Sequence, residues 1–378
     1  MSIDPDNATA ASTAKSQDLE HQADLPDGTS NLSVAPAANA DAPAIKRPVP
    51  RRRELSIDDF VAGVTQGDRA ILARAITLIE SSNEQHQRTA RDVLTRLMPR
   101  TGHALRLGIT GVPGVGKSTF IDKFGMQRLA DGRKVAVLAV DPSSNVTGGS
   151  ILGDKTRMAN LGRADHAFIR PSPAGQTLGG VASNTRETML LCEAAGFDLI
   201  VVETVGVGQS ETMVAEMTDV FLALMLPGAG DELQGIKRGL IELADLLAVN
   251  KAEGDRVPAA QLAATEYRTA LRCMQKRHPE WQTPVLTCSA HTGDGLDDLW
   301  SKITAYHDLL QSDGSLAARR QSQNLNWMWQ QVDDRLRRLL RDHPKVRDLT
   351  AEIEQQVTAG QLPPTAAADR VLDVFSGR

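Results

Sequence analysis

The chain has 378 residues, 41% of them hydrophobic, enough to bury a full core as one large domain with additions or as two domains. A net charge of −5 gives no global positive field to recruit nucleic acid, and no apolar run reaches the roughly 18 residues a membrane span needs, so neither partner is expected. Cys192, Cys273 and Cys288 are too few and too scattered for a disulfide framework, which fits a reducing cytoplasm.

Residues 1–54 are rich in Ala, Asp, Pro and Ser and close on the basic run "KRPVPRRRE". The segment has neither the apolar centre of a signal peptide nor the early arginines of a transit peptide, and it is expected to be a disordered tail, because it buries too little apolar surface to offset ordering entropy. From Ser56, a candidate N-cap, apolar residues recur at three-four spacing through "SIDDFVAGVTQGDRAILARAITLIES" and "QHQRTARDVLTRLM", which predicts at least two helices over 55–103.

Strands and helices then alternate. Predicted strands are "LRLGIT" (105–110), "VAVLAV" (135–140), "HAFIR" (166–170), "LIVVE" (199–203), "VFLALML" (220–226), "LLAVN" (246–250) and "PVLTCS" (284–289). Near-continuous apolar runs separated by helical segments indicate an α/β fold with a doubly wound, mostly parallel sheet covered on both faces. Polar residues cluster just past the strand ends, where such sheets bind ligands.

The first of these clusters is "GVPGVGKST": Gly111, Val112, Pro113, Gly114, Val115, Gly116, Lys117, Ser118 and Thr119. It fits G-x-x-x-x-G-K-[ST] between a strand and a helix, the P-loop arrangement in which backbone N–H groups converge on phosphate, Lys117 reaches the β/γ oxygens and the Ser118 hydroxyl ligates Mg²⁺. Asp141, opening "DPSS" at the next strand tip, is a candidate Mg²⁺ carboxylate, although a lone Asp there also serves as a cap or turn former. "GGSILGDKTRM" (148–158) carries Asp154 on a glycine-hinged loop of the kind a γ-phosphate orders. In "ETVGVGQSE" (203–211), Glu203 and Gly206 form an acidic-x-x-Gly turn whose Gly206 N–H is a candidate phosphate sensor; the nearest glutamine, Gln209, lies three residues beyond Gly206.

Base identity falls to "NKAEGD" (250–255) and "CSAHTGDGLDDLW" (288–300). Asn250, Lys251 and Glu253 approximate Asn-Lys-x-Asp, whose carboxylate accepts from guanine N1–H and N2–H₂; Glu253 is one methylene longer than the usual aspartate, and Asp255 could substitute for it. Cys288, Ser289 and Ala290 match a second base loop. The expected nucleotides are GTP as substrate and GDP as product, with the longer Glu253 leaving base selectivity open.

These motifs, together with "PGAGDELQGIKRGLIELADLLAVNKAEGD" and "SAHTGDGLDDLW" in the same order, resemble the methylmalonyl-CoA mutase-associated GTPase family, which also carries an older label as an arginine/ornithine transport kinase. The resemblance covers about residues 55–378. It implies a homodimeric P-loop GTPase that acts as a chaperone for an adenosylcobalamin-dependent methylmalonyl-CoA mutase or related acyl-CoA mutase, loading and protecting it. It also implies that Ser118, Asp141, Asp154 and Glu203 surround the metal, that Lys117, Asp154, Glu203 and Lys237 serve catalysis, and that "GDELQGIKRG" (230–239) is an additional switch facing the partner. The domain division that follows is a tail (1–54), an N-terminal helical extension (55–103), a P-loop GTPase domain (104–312) and a C-terminal helical dimerisation arm (313–378). In the last, Leu325, Met328, Val332, Leu336 and Leu339 keep helical spacing, for packing on their own domain or for joining two subunits. Other classes consistent with the phosphate loop are a metallochaperone GTPase for a nickel enzyme, which needs a Cys/His metal site, a small-molecule or protein kinase, which needs an acceptor pocket, and a purely structural nucleotide-binding module.

Overall fold

A computed structural model of the chain describes residues 55–140, 158–171, 178–204, 209–228 and 238–377. The expected tail at 1–54 lies outside them, as do Asp141, Asp154, Gly206 and Lys237.

The N-terminal helices start where the sequence offers caps. Helix α1 (Ile57–Thr65) opens on a capping box in which the Ser56 hydroxyl accepts from Asp59 N–H and the Asp59 carboxylate accepts from Ser56 N–H. Asp68 caps α2 (Arg69–Glu80) and Asn83 caps α3 (Glu84–Leu97), each accepting from two backbone N–H groups of the first turn.

All seven predicted strands form: β1 (Leu105–Gly111), β2 (Val135–Val140), β3 (Ala167–Arg170), β4 (Leu199–Thr204), β5 (Val220–Met225), β6 (Leu246–Val249) and β7 (Val285–Thr287). They make one sheet in the order β3-β2-β4-β1-β5-β6-β7, every pairing parallel. The ends differ from the expectation by one or two residues, most at β7, which keeps only three.

Because side chains alternate along a strand, the sheet feeds two cores. One face carries Leu107, Ile109, Val137, Val201 and Leu222 and is covered by α4 (Lys117–Ala130) and α9 (Leu296–Ser312), which contribute Phe120, Phe124, Leu299 and Tyr306. The other carries Leu138, Val202, Phe221 and Leu247 and is covered by α5 (Leu178–Ala194), α6 (Gln209–Ala215), α7 (Arg238–Leu243) and α8 (Val257–Arg272). Helices α1 to α3 join this second core through Phe60, Leu72, Ile76, Val93 and Leu97. Gly108 is required in β1: a Cβ there would stand 2.6 Å from the Phe221 ring and 3.0 Å from Val214 of α6.

The chain ends in α10 (Ser315–Asp342), α11 (Pro344–Thr358) and α12 (Pro364–Ser376). Helix α10 is 28 residues long, about 42 Å at the α-helical rise, and buries none of its side chains fully. Its first turns are tied to the sheet's N-terminal edge. The Arg320 guanidinium donates to both oxygens of the fully buried Asp219 carboxylate at 2.8 and 2.6 Å, and Arg319 donates to the Tyr306 hydroxyl at 3.1 Å. Leu325, Met328, Val332, Leu336 and Leu339 are exposed together with Trp329, so among the described residues this apolar stripe is left largely open to solvent. No helix among the described residues is long and apolar enough to cross a membrane.

Candidate functional site: a phosphate cradle and a base pocket

The loop between β1 and α4 turns at glycines that nothing larger could replace. Gly111 has φ +155, and a Cβ on it would lie 2.5 Å from the Leu224 carbonyl oxygen; Gly116, at φ +91, delivers the chain into α4 from the left-handed region. Lys117 and Ser118 are therefore the first two residues of the helix, at its positive end. The Lys117 Nζ donates to the Gly111 carbonyl at 2.9 Å, closing the loop on itself. Burial lowers the Lys117 pKa, while Glu203 and Glu211 counteract it by favouring the charged form. The ammonium is thus half-stripped of water and held among carboxylates, suited to meet phosphate oxygens. Val115 is buried beneath the loop, whereas Pro113, Gly114 and Thr119 are exposed on its rim.

Glu203, next to last in β4, stands across from the start of α4, and the Ser118 hydroxyl donates to its Oε1 at 3.3 Å. A hydroxyl and a carboxylate at this separation are hard oxygen donors of the type Mg²⁺ takes, so the residues present fit that ion.

The base loops meet the phosphate loop through Asn250, at the tip of β6. Its buried side chain donates through Nδ2 to the Val115 carbonyl at 2.8 Å and accepts at Oδ1 from Ala290 N–H at 3.0 Å, with the Cys288 thiol 3.8 Å from the same oxygen. Lys251 holds φ +61, the one non-glycine residue with positive φ among the described residues, and its Nζ donates to the Gly114 carbonyl at 2.8 Å. The Ser289 hydroxyl turns back to accept from Thr292 N–H at 3.0 Å, shaping the loop. Glu253 follows in an extended conformation, and its Oε2 is buried with no hydrogen-bond partner among the described residues. Burial first, and the Glu253 charge second, push the Cys288 thiol up to about 12, so it stays protonated.

The structure thus gathers Gly111 to Thr119, Glu203, Asn250, Lys251, Glu253, Cys288, Ser289 and Ala290 at the C-terminal ends of β1, β4, β6 and β7. It adds Glu211, in the first turn of α6, as a second carboxylate acting on Lys117. An acid five residues after Gly206 of the sensor turn was the available signal for it, but spacing alone does not say that α6 brings it back toward the phosphate loop.

A phosphate-binding glycine loop, an acidic residue facing its serine, and two base loops pinned by one asparagine, all on a parallel sheet, define a P-loop GTPase. Residues 72–345 match the methylmalonyl Co-A mutase-associated GTPase MeaB family, and the chain belongs to that family. It is 57% identical over 322 residues to a GTPase of Caulobacter vibrioides, covering 85% of this chain and 98% of that one. It is 50% identical over 281 residues to the Escherichia coli GTPase ArgK (74% and 85% covered). The Mus musculus methylmalonic aciduria type A homolog, a mitochondrial protein, is 43% identical over 332 residues (85% and 80% covered). The crystal structure of an LAO/AO transport system kinase superposes with a TM-score of 0.68 at 38% identity, covering 86% of this chain and 99% of that one.

Proposed function

We propose that this GTPase hydrolyses GTP in the cytoplasm to set the state of a client, a methylmalonyl-CoA mutase or related acyl-CoA mutase dependent on adenosylcobalamin, coupling nucleotide state to loading and protection of that enzyme. The family's name and the methylmalonic aciduria relative support the choice of client. The observation that carries the nucleotide reading is the buried Glu253 Oε2, unpartnered among the described residues, beside a loop pinned by Asn250, an acceptor suited to a base edge with paired N–H donors.

In this reading Lys117 and the loop N–H groups hold the β- and γ-phosphates, and Ser118, Asp141, Asp154 and Glu203 hold Mg²⁺. When bound, Mg²⁺ supplies charge neutralisation on the transferred phosphoryl. Lys117 stabilises the same developing charge, and Lys237 of the 230–239 switch is assigned to the same task. Water is oriented by switch residues rather than removed by a strong base, so hydrolysis by the protein alone is slow. Loss of the γ-phosphate then releases the loops at 148–158 and 203–211, which transmits the nucleotide state. The exposed stripe on α10 supports a homodimer joined through residues 313–378.

Turnover of GTP with and without the mutase tests the coupling: acceleration by the mutase is expected, and equal rates overturn it. Lys117→Ala is expected to abolish nucleotide binding measured by titration calorimetry. Measuring free phosphate against phosphate transferred to arginine or ornithine separates hydrolysis from the kinase reading that the transport-kinase relative keeps open.

A further inference from the structure

Thr110, next to last in β1, and Thr204, last in β4, meet on the face of the sheet away from Glu203. Thr110 precedes the phosphate loop and Thr204 follows Glu203. Both are fully buried, and the Thr204 hydroxyl donates to the Thr110 hydroxyl at 2.9 Å. The strand register sets Ile109 opposite Glu203, so the two threonines are the next step of the same ladder. By alternation they point to the face opposite Glu203, into the core that holds Val140, Val202, Val214 and Ala223. Valine has the same shape and would suit that core better, because a buried hydroxyl must find a partner. Here each hydroxyl finds the other, across 94 residues of sequence.

The consequence lies on the opposite face. On the side of α4, the Glu203 carboxylate accepts from the Ser118 hydroxyl at 3.3 Å and acts on the charge of Lys117. A directional clamp between the adjacent residues Thr204 and Thr110 fixes where the backbone at the tip of β4 stands relative to the root of the phosphate loop. It therefore fixes where the Glu203 carboxylate is aimed. Packing alone, as two valines would give, limits approach without fixing direction. We infer that Thr110 and Thr204 are positioning residues for GTP hydrolysis: their hydroxyl pair locks the sensor strand to the phosphate loop so that Glu203 meets Ser118 and the phosphate–metal site in register. The inference rests on the proposed role of Glu203.

The test compares steady-state GTP hydrolysis and melting of the full-length protein with Thr204→Val, Thr204→Ser, the double variant Thr110→Val/Thr204→Val, and Glu203→Gln. Thr204→Val is expected to lower kcat by on the order of tenfold or more, as misplacement of a reacting group does, with KM for GTP changed less than about threefold. Thr204→Ser restores kcat. The double variant, which orphans no hydroxyl, recovers the melting temperature but not kcat, a split that a purely structural pair would not produce. A folded Thr204→Val with wild-type kcat overturns the inference, and so does a double variant that regains kcat together with Tm. Loss of hydrolysis in Glu203→Gln beside wild-type rates in Thr204→Val would discard the clamp and keep the site. Unaffected hydrolysis in Glu203→Gln would remove the carboxylate's role and the inference with it.

Discussion

Glu253 is the residue on which the proposed base preference turns, because one of its carboxylate oxygens is held away from solvent. Its buried Oε2 has no partner among the described residues, and its field already acts on the neighbouring Cys288 thiol. Glu253→Gln replaces an acceptor by a donor, so affinity for GTP is expected to fall roughly ten- to a hundredfold, the size of a lost charged hydrogen bond. The same change should improve binding of xanthosine triphosphate, whose base carries a carbonyl where guanine carries an amine; competition titrations with the two nucleotides read both effects. Glu187 on α5 behaves differently. Burial pushes its carboxyl up to about 7 although Arg91 of α3 pulls the other way. The native state therefore resists ionising it, and stability drains away as pH climbs from the ordinary glutamate value of about 4 through 7, then levels off. Melting curves of Glu187→Gln and the wild type should diverge over that window, with the variant the more stable above it; a pH-independent gap would refute the assignment. Glu253 was visible in the sequence because it sits in a motif. Glu187 was not, since nothing in its local string announces that α3 packs against α5 beside it.

At the scale of elements, the seven strands could be read because parallel strands buried on both faces appear as unbroken apolar runs, and so could the cap at Ser56; the caps at Asp68 and Asn83 emerge only in the fold. The attachment of α10 could not. In the sequence, Arg319 and Arg320 look like two more solvated cations near a helix start. In the fold Arg320 grips Asp219, which also receives Arg106 N–H at 2.9 Å and has no exposed surface. Arg320→Ala strips that carboxylate of its counter-charge and is expected to cost about 3–5 kcal/mol in denaturant unfolding, because a buried charge is left uncompensated. Arg320→Lys keeps the charge and loses the fork, and should fall between. Farther along, Arg186 of α5 donates to the Gln323 carbonyl of α10 at 3.1 Å and, at 3.4 Å, to the Glu216 carbonyl just past α6, so the helix after the sensor turn and the arm share one cation.

For the whole molecule, the six apolar side chains exposed on α10 are the feature that the described residues leave largely uncovered. Trp329→Glu together with Leu336→Glu is expected to shift sedimentation toward the monomer while leaving GTP binding intact, because the stripe lies outside the nucleotide pocket. The sequence offered self-packing and subunit pairing as equal alternatives for it, since periodicity reports that a face exists and is silent about what covers it. The helices before the phosphate loop carry the opposite lesson. Drawn on paper, residues 55–103 look like an appendage that could be trimmed away, and the family match itself begins inside α2, at residue 72. Yet Phe60, Leu72, Ile76, Val93 and Leu97 are fused into the same interior as Val202 and Phe221. A clone cut back to the glycine loop would emerge with a greasy flank and clump, so the shortest fragment worth expressing starts near Leu55.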